Sequence, residues 1–320
     1  MSLPEIIDGW FCVAFSHELR PGRVHSLEFM GNPLYLMRTE SGRVAAVDHP
    51  FLTSAVTSTS SDQTARSGEH PEPGLRRWHV HEQRHKGLGA IWLWHHHQGI
   101  APTWHLPTWD EEGWGRAFPA TFRIRGNTQD VIENGVDLGH FECIHGVVDV
   151  DPGALSIEGP LMHFSLTVTS EARMLLRKAE DVRARLGLQL YGLGLSFADT
   201  FVSSIGARMR SFVAPRPLGN GEVEIRCWIV LEEPGEVASQ LPMVGRFLPR
   251  RLGERLMERI MHRVFVEDFS RDLRYLDGRR YLGRPALGRK DVFIGTFRKW
   301  ARQFYPAHLL ASGRQSTQAA

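Results

Sequence analysis

The chain has 320 residues, of which 42% are hydrophobic and 23% charged, and its formal net charge is +2. This composition is typical of a soluble globular protein that buries a sizeable core in one large or two ordinary domains. The small net charge, with no basic cluster among aromatic residues, argues against a nucleic-acid partner, and the lack of an apolar run of about 18 residues argues against a membrane span.

The first part of the chain reads as short strands broken by Gly, Asn or Pro. Ser41 and Gly42 are the expected tip of a hairpin. Residues 53–74 are more than half Ser, Thr, Gly and Pro, which predicts a mobile loop because such a segment has little to bury. A connector rich in Pro and Trp, roughly Gly99 to Pro119, closes this unit. The predicted strands cover residues 22–31, 33–42, 43–50, 76–83 and 87–96.

A second unit is expected to begin near Phe118. Residues 128–142 are predicted to form a helix, with Asn127 or Thr128 as its N-cap. A long helix is predicted over residues 250–277, because apolar residues repeat there every four positions, at Leu252, Leu256, Ile260 and Val264. The spacing of the remaining strands predicts an antiparallel meander, and the whole pattern is α+β. The other predicted elements are strands at 120–126, 161–170, 186–197, 208–215 and 223–233 and a helix at 295–304.

The three cysteines, Cys12, Cys143 and Cys227, lie far apart in the chain. Their odd number and wide spacing argue against a disulfide framework. The N-terminus lacks the basic segment followed by an apolar block that a signal peptide needs. These features favour a reducing, cytoplasmic setting.

One short stretch, "ENGVDLGHFECIHG", concentrates polar groups among apolar neighbours. On a helix, Asn134, Asp137 and His140 are three residues apart and share one face. His145 follows five residues later, about 140° away around a straight helix. Two neutral imidazoles with a carboxylate suit a divalent transition metal, and with open positions left over they form the facial triad of non-haem Fe(II) enzymes.

The two imidazoles converge only if the helix stops or bulges near Cys143, and Gly146 is a suitable stop. The long helix offers the carboxylate. One stripe of that helix, within about 80°, carries Met261, Phe265, Asp268, Asp272 and Leu276. Carboxylates on a core-facing stripe need a partner, which is either a metal or one of the arginines Arg271, Arg274 and Arg279. Periodicity leaves these two interpretations open.

The same stretch resembles the Glu-Asn-x-x-Asp-x-x-His-x-x-x-x-His motif in the catalytic domain of the Rieske non-haem iron ring-hydroxylating oxygenases. The segments "GWFCVAFSHELRPGRV" and "LYLMRTESGRVAAVD" resemble the start of the Rieske domain in the branch with steroid-type hydroxylases and desaturases. The segments "RRYLGRPALG" and "FRKWARQFYP" resemble the C-terminal end of that branch. The resemblance thus covers both ends and the middle of the chain.

The resemblance implies site residues. His140 and His145 would be iron ligands. In this family the third ligand is an Asp eight residues before the basic residue that precedes the Tyr of the terminal motif. Counting back from Arg280 gives Asp272, with Asp268 as the fallback. Asp137 matches the carboxylate that hydrogen-bonds a ligand His and connects it to the cluster of the neighbouring subunit. Such a residue would set the tautomer and orientation of His140. Asn134, in the same motif, joins Asp137 as a candidate catalytic residue.

The chain departs from the family at the Rieske cluster. A [2Fe–2S] centre of this kind needs a Cys-x-His and a Cys-x-x-His pair. The first pair should follow "RVAAVD", where the sequence reads "HPFLTSAV", with His49 and Pro50 but no Cys. The second should precede "RRWHV", where no Cys is found either. We therefore predict no [2Fe–2S] cluster on a retained β scaffold.

The expected architecture follows from these points. Residues 1–117 would form a Rieske-like antiparallel β domain without cluster ligands. Residues 118–306 would form a helix-grip (Bet v1/START-like) catalytic domain, an antiparallel sheet wrapped on a long helix with mononuclear Fe(2+) between them. Residues 307–320 would be a disordered tail. The resemblance also implies a homotrimer.

The leading functional hypothesis is an oxygenase-type oxidoreductase that uses dioxygen on a bulky, largely apolar substrate, such as an intermediate of specialised metabolism. Without a cluster, the electrons would come from an electron-donating partner or sibling oxygenase subunit, or from the substrate itself. Two alternatives stay open: a non-catalytic partner subunit of a Rieske oxygenase, and a redox-neutral enzyme in which the metal acts as a Lewis acid.

Other groups have two interpretations each. A second metal site, or simply solvated strand ends, would account for the histidines at positions 79, 81, 85 and 95–97. Cys143 is either a third soft ligand or nucleophile, or a buried structural thiol, which we favour.

Overall fold

The computed structural model describes residues 3–49, 78–171, 181–203, 206–233, 250–283, 285–288 and 291–310, without the side chains of 171, 181 and 250–258. The predicted loop over residues 53–74 lies outside these ranges.

Two three-stranded antiparallel sheets form the N-terminal part. One has the order β1-β6-β5 and the other β2-β3-β4. The predicted hairpin is confirmed, because Gly42 lies between β3 and β4 with a φ of +79°, and the Thr39 N–H donates to the Arg43 carbonyl. The strands are β1 (Gly9–Phe15), β2 (His25–Phe29), β3 (Asn32–Arg38), β4 (Val44–Val47), β5 (Val80–His85) and β6 (Leu88–His95).

A seven-stranded antiparallel sheet forms the rest of the β structure, in the order β7-β13-β12-β11-β10-β9-β8. Strands β8 to β13 follow one another as a meander, as predicted, and β7 joins the far edge beside β13. The strands are β7 (Phe118–Arg125), β8 (Val147–Glu158), β9 (Leu161–Glu171), β10 (Asp181–Tyr191), β11 (Leu195–Val202), β12 (Ala207–Gly219) and β13 (Glu222–Leu231).

Four α-helices accompany this sheet in the described ranges: α1 (Thr128–Glu133), α2 (Leu138–His145), α3 (Arg250–Leu276) and α4 (Ile294–Ala301). The long helix α3 has nearly the predicted bounds. Its C-terminal half packs Phe269 and Leu276 against Ile124 of β7 and Ile225 of β13. A long helix buried against an antiparallel sheet is the α+β organisation that the sequence predicts.

Two local predictions are wrong. Residues 186–197 are not one strand but the end of β10, a turn and the start of β11, because Gly192 adopts a φ of +58° that reverses the chain. Residues 307–310, predicted as part of a disordered tail, form a helical turn in which the Leu309 N–H donates to the Pro306 carbonyl. Residues 311–320 lie outside the described ranges.

The hydrophobic core crosses the predicted boundary at residue 118. Phe11 of β1 shares one cluster with Leu166 of β9 and Phe297 of α4, and Trp92 of β6 shares another with Trp228 of β13. The boundary separates the sheets but not the core, and the division into domains stays a prediction. Among the described helices, none combines the length and apolarity needed to cross a membrane.

Candidate metal centre

The segment that carries the polar motif is not one continuous helix. Helix α1 ends at Glu133, a 3-10 turn follows at Asn134–Val136, and α2 begins after Asp137. Asp137 is the N-cap of α2, since its backbone is extended and its Oδ1 accepts a hydrogen bond from the His140 backbone N–H at 3.2 Å. Asp is among the best N-caps because its carboxylate satisfies an orphan N–H. The prediction of a single helix over residues 128–142 is therefore wrong, although Asn134 and Asp137 both still contact His140.

Gly146 ends α2, as predicted. Its φ of +66° is left-handed, and its N–H donates to the Phe141 carbonyl. The helix continues through His145, two residues beyond the predicted stop or bulge near Cys143. Both imidazoles still converge, with His145 as the last helical residue. The Nε2 atoms of His140 and His145 are 2.8 Å apart.

Asp272 of α3 completes the group. It is only 6% exposed, and its Oδ1 lies 3.1 Å from His140 Nε2 and 3.0 Å from His145 Nε2. Helix α3 thus carries a carboxylate to two imidazoles that are more than a hundred residues away in sequence. Three potential ligand atoms, two nitrogens and one oxygen, meet at one point.

The separations test whether these residues fit a metal ion. Protein ligands lie about 2.1 Å from a divalent transition metal, so two ligands at right angles are about 3.0 Å apart, and two in a tetrahedral site about 3.4 Å apart. The observed separations of 2.8, 3.0 and 3.1 Å match one face of an octahedron. In addition, Asp272 Oδ1 is buried without a hydrogen bond of good geometry. This donor set fits a two-histidine, one-carboxylate metal site.

The electrostatics of the group also favour a cation. Burial raises the pKa of Asp272, but its contacts with His140 and His145 outweigh this and hold the pKa below the ordinary 3.8. Burial lowers the pKa of His145, but Asp268 and Asp272 raise it to about 9. Without a metal, the group therefore retains a proton on His145. A divalent cation at the same point would replace this proton, because ligand imidazoles must be deprotonated at the bonding nitrogen.

Comparison with known proteins identifies the family. The profile of the 3-ketosteroid 9alpha-hydroxylase C-terminal domain matches residues 93–305, which is about two thirds of the chain. This protein belongs to the Rieske oxygenase family. Family membership makes it an oxygenase-type oxidoreductase and implies non-haem iron, as the motif around His140 predicts.

Individual relatives agree with this assignment. The chain is 25% identical to cholesterol 7-desaturase nvd of Bombyx mori over 96% of this chain and 71% of the relative. It is 23% identical to cholesterol 7-desaturase of Caenorhabditis elegans over 99% and 81%.

Solved structures share the fold of this protein, although their sequence identity to it is low. Dicamba monooxygenase bound to dicamba superposes with a TM-score of 0.58 at 13% identity, covering 95% of this chain and 98% of that one. NdmA of Pseudomonas putida CBB5 with caffeine superposes with a TM-score of 0.61 at 11% identity, covering 92% and 89%. These likenesses confirm the predicted α+β fold of a Rieske oxygenase α-subunit.

Two further motif residues of this protein, Asn134 and Asp137, contact His140. The Asn134 side chain is buried, with its Nδ2 atom 3.1 Å from His140 Nε2 and its Oδ1 without a hydrogen bond. Asp137, expected at the imidazole of His140, instead binds the backbone of that residue. The Nδ1 of His140 makes no hydrogen bond within the described residues. Asp137 therefore orients His140 through the start of α2 and not through its ring.

The two acidic residues of α3 take different positions. Asp268, the alternative to Asp272, has a side chain that is 48% exposed, and its Oδ2 lies 3.0 Å from the Nδ1 of His145, on the far side of that ring. Arg271 pairs with Asp268 at 3.6 Å. Arg274 and Arg279 contact the Ser270 carbonyl and the Tyr275 ring instead. Among the described contacts, the arginine interpretation therefore applies to Asp268 and not to Asp272.

The part of the fourfold apolar repeat whose side chains are described, Ile260 and Val264, does not lie on the buried face of α3. Ile260 and Val264 are 46% and 51% exposed, whereas Phe269, Asp272 and Leu276 are buried. The stripe that contains the two acidic residues is the one that becomes buried toward its C-terminal end.

Sequence reasoning missed the ion pair between Glu133 and Arg298 behind the motif. The available signal was a charged residue next to the apolar pair Val131 and Ile132 in a short helix.

Two of the other histidines are core residues. His85 packs among the rings of Trp109, Phe212 and Trp228, and burial lowers its pKa to about 4. His95 is buried, with Nδ1 2.7 Å from the Ile7 carbonyl oxygen. The prediction of solvated strand ends is wrong for both, because β5 and β6 carry them into aromatic clusters.

Asp8, His96 and His97 form a second group whose ligand atoms lie within 4.8 Å of one another. Asp8 accepts hydrogen bonds from both the backbone and the Nδ1 of His97, at 2.7 and 2.6 Å. His96 Nδ1 accepts from the Gln98 N–H, so a neutral His96 carries its proton on Nε2, the nitrogen that faces Asp8. These contacts describe a hydrogen-bonded cluster in which Asp8 is the shared acceptor. Cys143 is exposed, and the expectation of a buried thiol is wrong.

Proposed function

We propose that this protein is a mononuclear non-haem Fe(II) oxygenase in which His140, His145 and Asp272 hold the metal. The observation that carries the proposal is the meeting of two Nε2 atoms and one carboxylate oxygen at separations of 2.8 to 3.1 Å. The iron would supply a site where dioxygen is activated next to the substrate.

The surrounding residues have separate tasks in this proposal. Asp137 starts α2 and thereby orients the His140 backbone. Asn134 places its amide beside His140, with Nδ2 3.1 Å from His140 Nε2, and its buried Oδ1 has no hydrogen-bond partner among the described residues. Burial of His140 and Asp272 limits water at the inner side of the centre.

We infer a bulky apolar substrate, with a sterol-like molecule as the first choice. Two observations support this inference. The relatives described above are named cholesterol 7-desaturases, and the matching family profile is that of the 3-ketosteroid 9alpha-hydroxylase C-terminal domain. The N-terminal unit, residues 1–117, would contribute scaffold, and residues 118–306 the metal centre. Assembly as a trimer stays a prediction.

We further infer that this chain carries no Rieske cluster. Its three cysteines are Cys12 and Cys227, which are both buried, and Cys143, which is exposed on α2. A Rieske centre needs two thiolates on one iron, and the chain has no Cys between residues 12 and 143. Electrons for the reaction would therefore come from a cluster-bearing partner or from the substrate.

Metal analysis of the purified protein tests this assignment. We expect about one Fe(II) per chain, no iron–sulfur absorption in the visible spectrum, and loss of both iron and oxygen-dependent turnover in His140→Ala. His163→Ala is the matched control, since His163 lies on β9 and contacts Ser156. Full iron occupancy in His140→Ala would refute the ligand assignment, and an iron–sulfur spectrum would refute the missing cluster.

The missing thiolates also favour a second candidate, a partner subunit that supports a cluster-bearing homologue without catalysing the reaction itself. Co-expression with such a homologue separates the two. Activity of the mixture that survives His145→Ala would show a structural partner, whereas activity that is lost with His145→Ala would show a catalytic centre in this chain.

A further inference from the structure

We propose that Asp268 is a positioning residue that holds the His145 imidazole with its proton on Nδ1, so that the Nε2 lone pair faces the metal. The proposal rests on the proposed function, because it assigns Asp268 a role toward the ion that His140, His145 and Asp272 would bind.

Two carboxylates of α3 contact the two ring nitrogens of His145, one on each side of the ring. Asp272 Oδ1 lies 3.0 Å from His145 Nε2, and Asp268 Oδ2 lies 3.0 Å from His145 Nδ1. The two carboxylates are four residues apart on α3, one helical turn, and so project on the same side of the helix. One helix therefore supplies the contacts to both ring nitrogens of His145. The Oδ2–Nδ1 distance is within hydrogen-bond range, although the two groups are not well aligned in this structure.

The two imidazoles differ in what supports them. His140 lies inside the first turns of α2, where the Asp137 cap and the helix backbone on both sides hold it. His145 is the final helical residue, and the chain turns away at Gly146 with a left-handed φ. A ring at a helix end has fewer neighbours to fix its orientation. Asp268 supplies this missing support from the neighbouring helix.

The chemistry of the contact follows the known pattern of metal-binding imidazoles. A carboxylate at the second ring nitrogen selects the tautomer and raises the basicity of the bonding nitrogen, and removing it lowers metal affinity about 10- to 100-fold. Asp268 also pairs with Arg271 and is half exposed, so its side chain is available to keep a negative charge at the ring without being buried. Removing it leaves no cavity, and the apo protein is expected to fold.

The test is an anaerobic titration of the metal-free protein with Co(II), a spectroscopic stand-in for Fe(II), in the wild type and in Asp268→Ala, Asp268→Asn and Asp268→Glu. We expect Asp268→Ala to weaken Co(II) binding about 10- to 100-fold and to shift the visible Co(II) spectrum. Asp268→Asn should fall between Asp268→Ala and the wild type, since an amide oxygen accepts the same proton without the charge. Asp268→Glu should recover most of the affinity.

Glu267→Ala is the matched control, because Glu267 is an exposed carboxylate next to Asp268 that pairs with Arg263 instead. It should bind Co(II) as the wild type does. Wild-type affinity and spectrum in Asp268→Ala would overturn the proposal. Loss of binding as complete as in Asp272→Ala would also overturn it, by making Asp268 a direct ligand. If His140→Ala and Asp272→Ala bind Co(II) unchanged, the proposed function itself fails.

Discussion

Arg298 of α4 binds Glu133 of α1 through two hydrogen bonds of 2.8 and 2.7 Å. The Glu133 side chain is almost completely buried, and that of Arg298 is 14% exposed. Glu133 immediately precedes Asn134, whose amide contacts His140. The C-terminal helix thus anchors the segment that leads into the candidate metal centre, across 165 residues of sequence.

Replacing this arginine should be costly. In Arg298→Met the Glu133 carboxylate stays buried without its partner, and we expect the free energy of unfolding to fall by about 3–5 kcal/mol. Urea denaturation measures it. Arg263→Met is the control, because the Arg263–Glu267 pair is exposed on both sides and should contribute less than about 0.5 kcal/mol. Equal losses in the two variants would contradict the anchoring role.

Asp130 should make stability depend on pH. Burial, followed by the charge of Glu133, raises the pKa of Asp130 to about 6 in the fold, against an ordinary 3.8. Because the fold disfavours the ionised form, the free energy of unfolding should decrease as the pH rises from about 4 to about 6, by up to about 3 kcal/mol. Asp130→Asn should remove this decrease and stabilise the protein at neutral pH. Denaturation across this pH range checks it, with the exposed Asp151→Asn as the control. A decrease that persists in Asp130→Asn would assign it to another group.

Gly146 should be needed for its backbone conformation alone. A Cβ at this position would meet no atom within 4 Å, but the φ of +66° is strained for any other residue. We expect Gly146→Ala to cost about 1 kcal/mol. Gly139→Ala in the same helix should instead be neutral or stabilising by up to about 1 kcal/mol, since its Cβ would meet Asp137 only at an ordinary 3.5 Å. Thermal denaturation of both metal-free variants distinguishes them, and the reverse order would exclude the αL cap as the cause.

Gly194 should be needed because there is no room for a side chain at this position. A Cβ there would lie 1.9 Å from the Trp10 carbonyl oxygen, so the turn between β10 and β11 touches the backbone of β1. We expect Gly194→Ala to destabilise the protein by about 1–3 kcal/mol or more, because backbone must move to admit the methyl group. In Gly187→Ala, on β10 of the same hairpin, the Cβ would be 3.9 Å from the Asp199 carbonyl oxygen. Chemical denaturation should show a much smaller change there, and comparable losses would argue against the close approach.

Several elements follow from local sequence. The Ser41–Gly42 tip, the stop at Gly146 and the extent of α3 were all predictable, because a turn, a cap and a long periodic run each depend on neighbouring residues. The break at Asp137 was harder to predict. The same residue is compatible with a helix interior or an N-cap, and the choice depends on how α1 and α2 pack.

Burial was the least predictable property. Ile260 and Val264 follow a regular apolar repeat yet face solvent, and the polar rings of His85 and His95 lie in the core. Whether a side chain is buried depends on which elements approach its face, and one helix or strand does not contain that information.

The sequence by itself determined which residues were able to form the centre: two histidines five apart before a glycine stop, and two acidic residues on one stripe of a long helix. Only the tertiary structure decided their positions, with Asp272 facing both Nε2 atoms and Asp268 behind the ring of His145. The physical reason is that one helical turn separates the two carboxylates, so periodicity treats them alike. The packing of α3 against α2 distinguishes them.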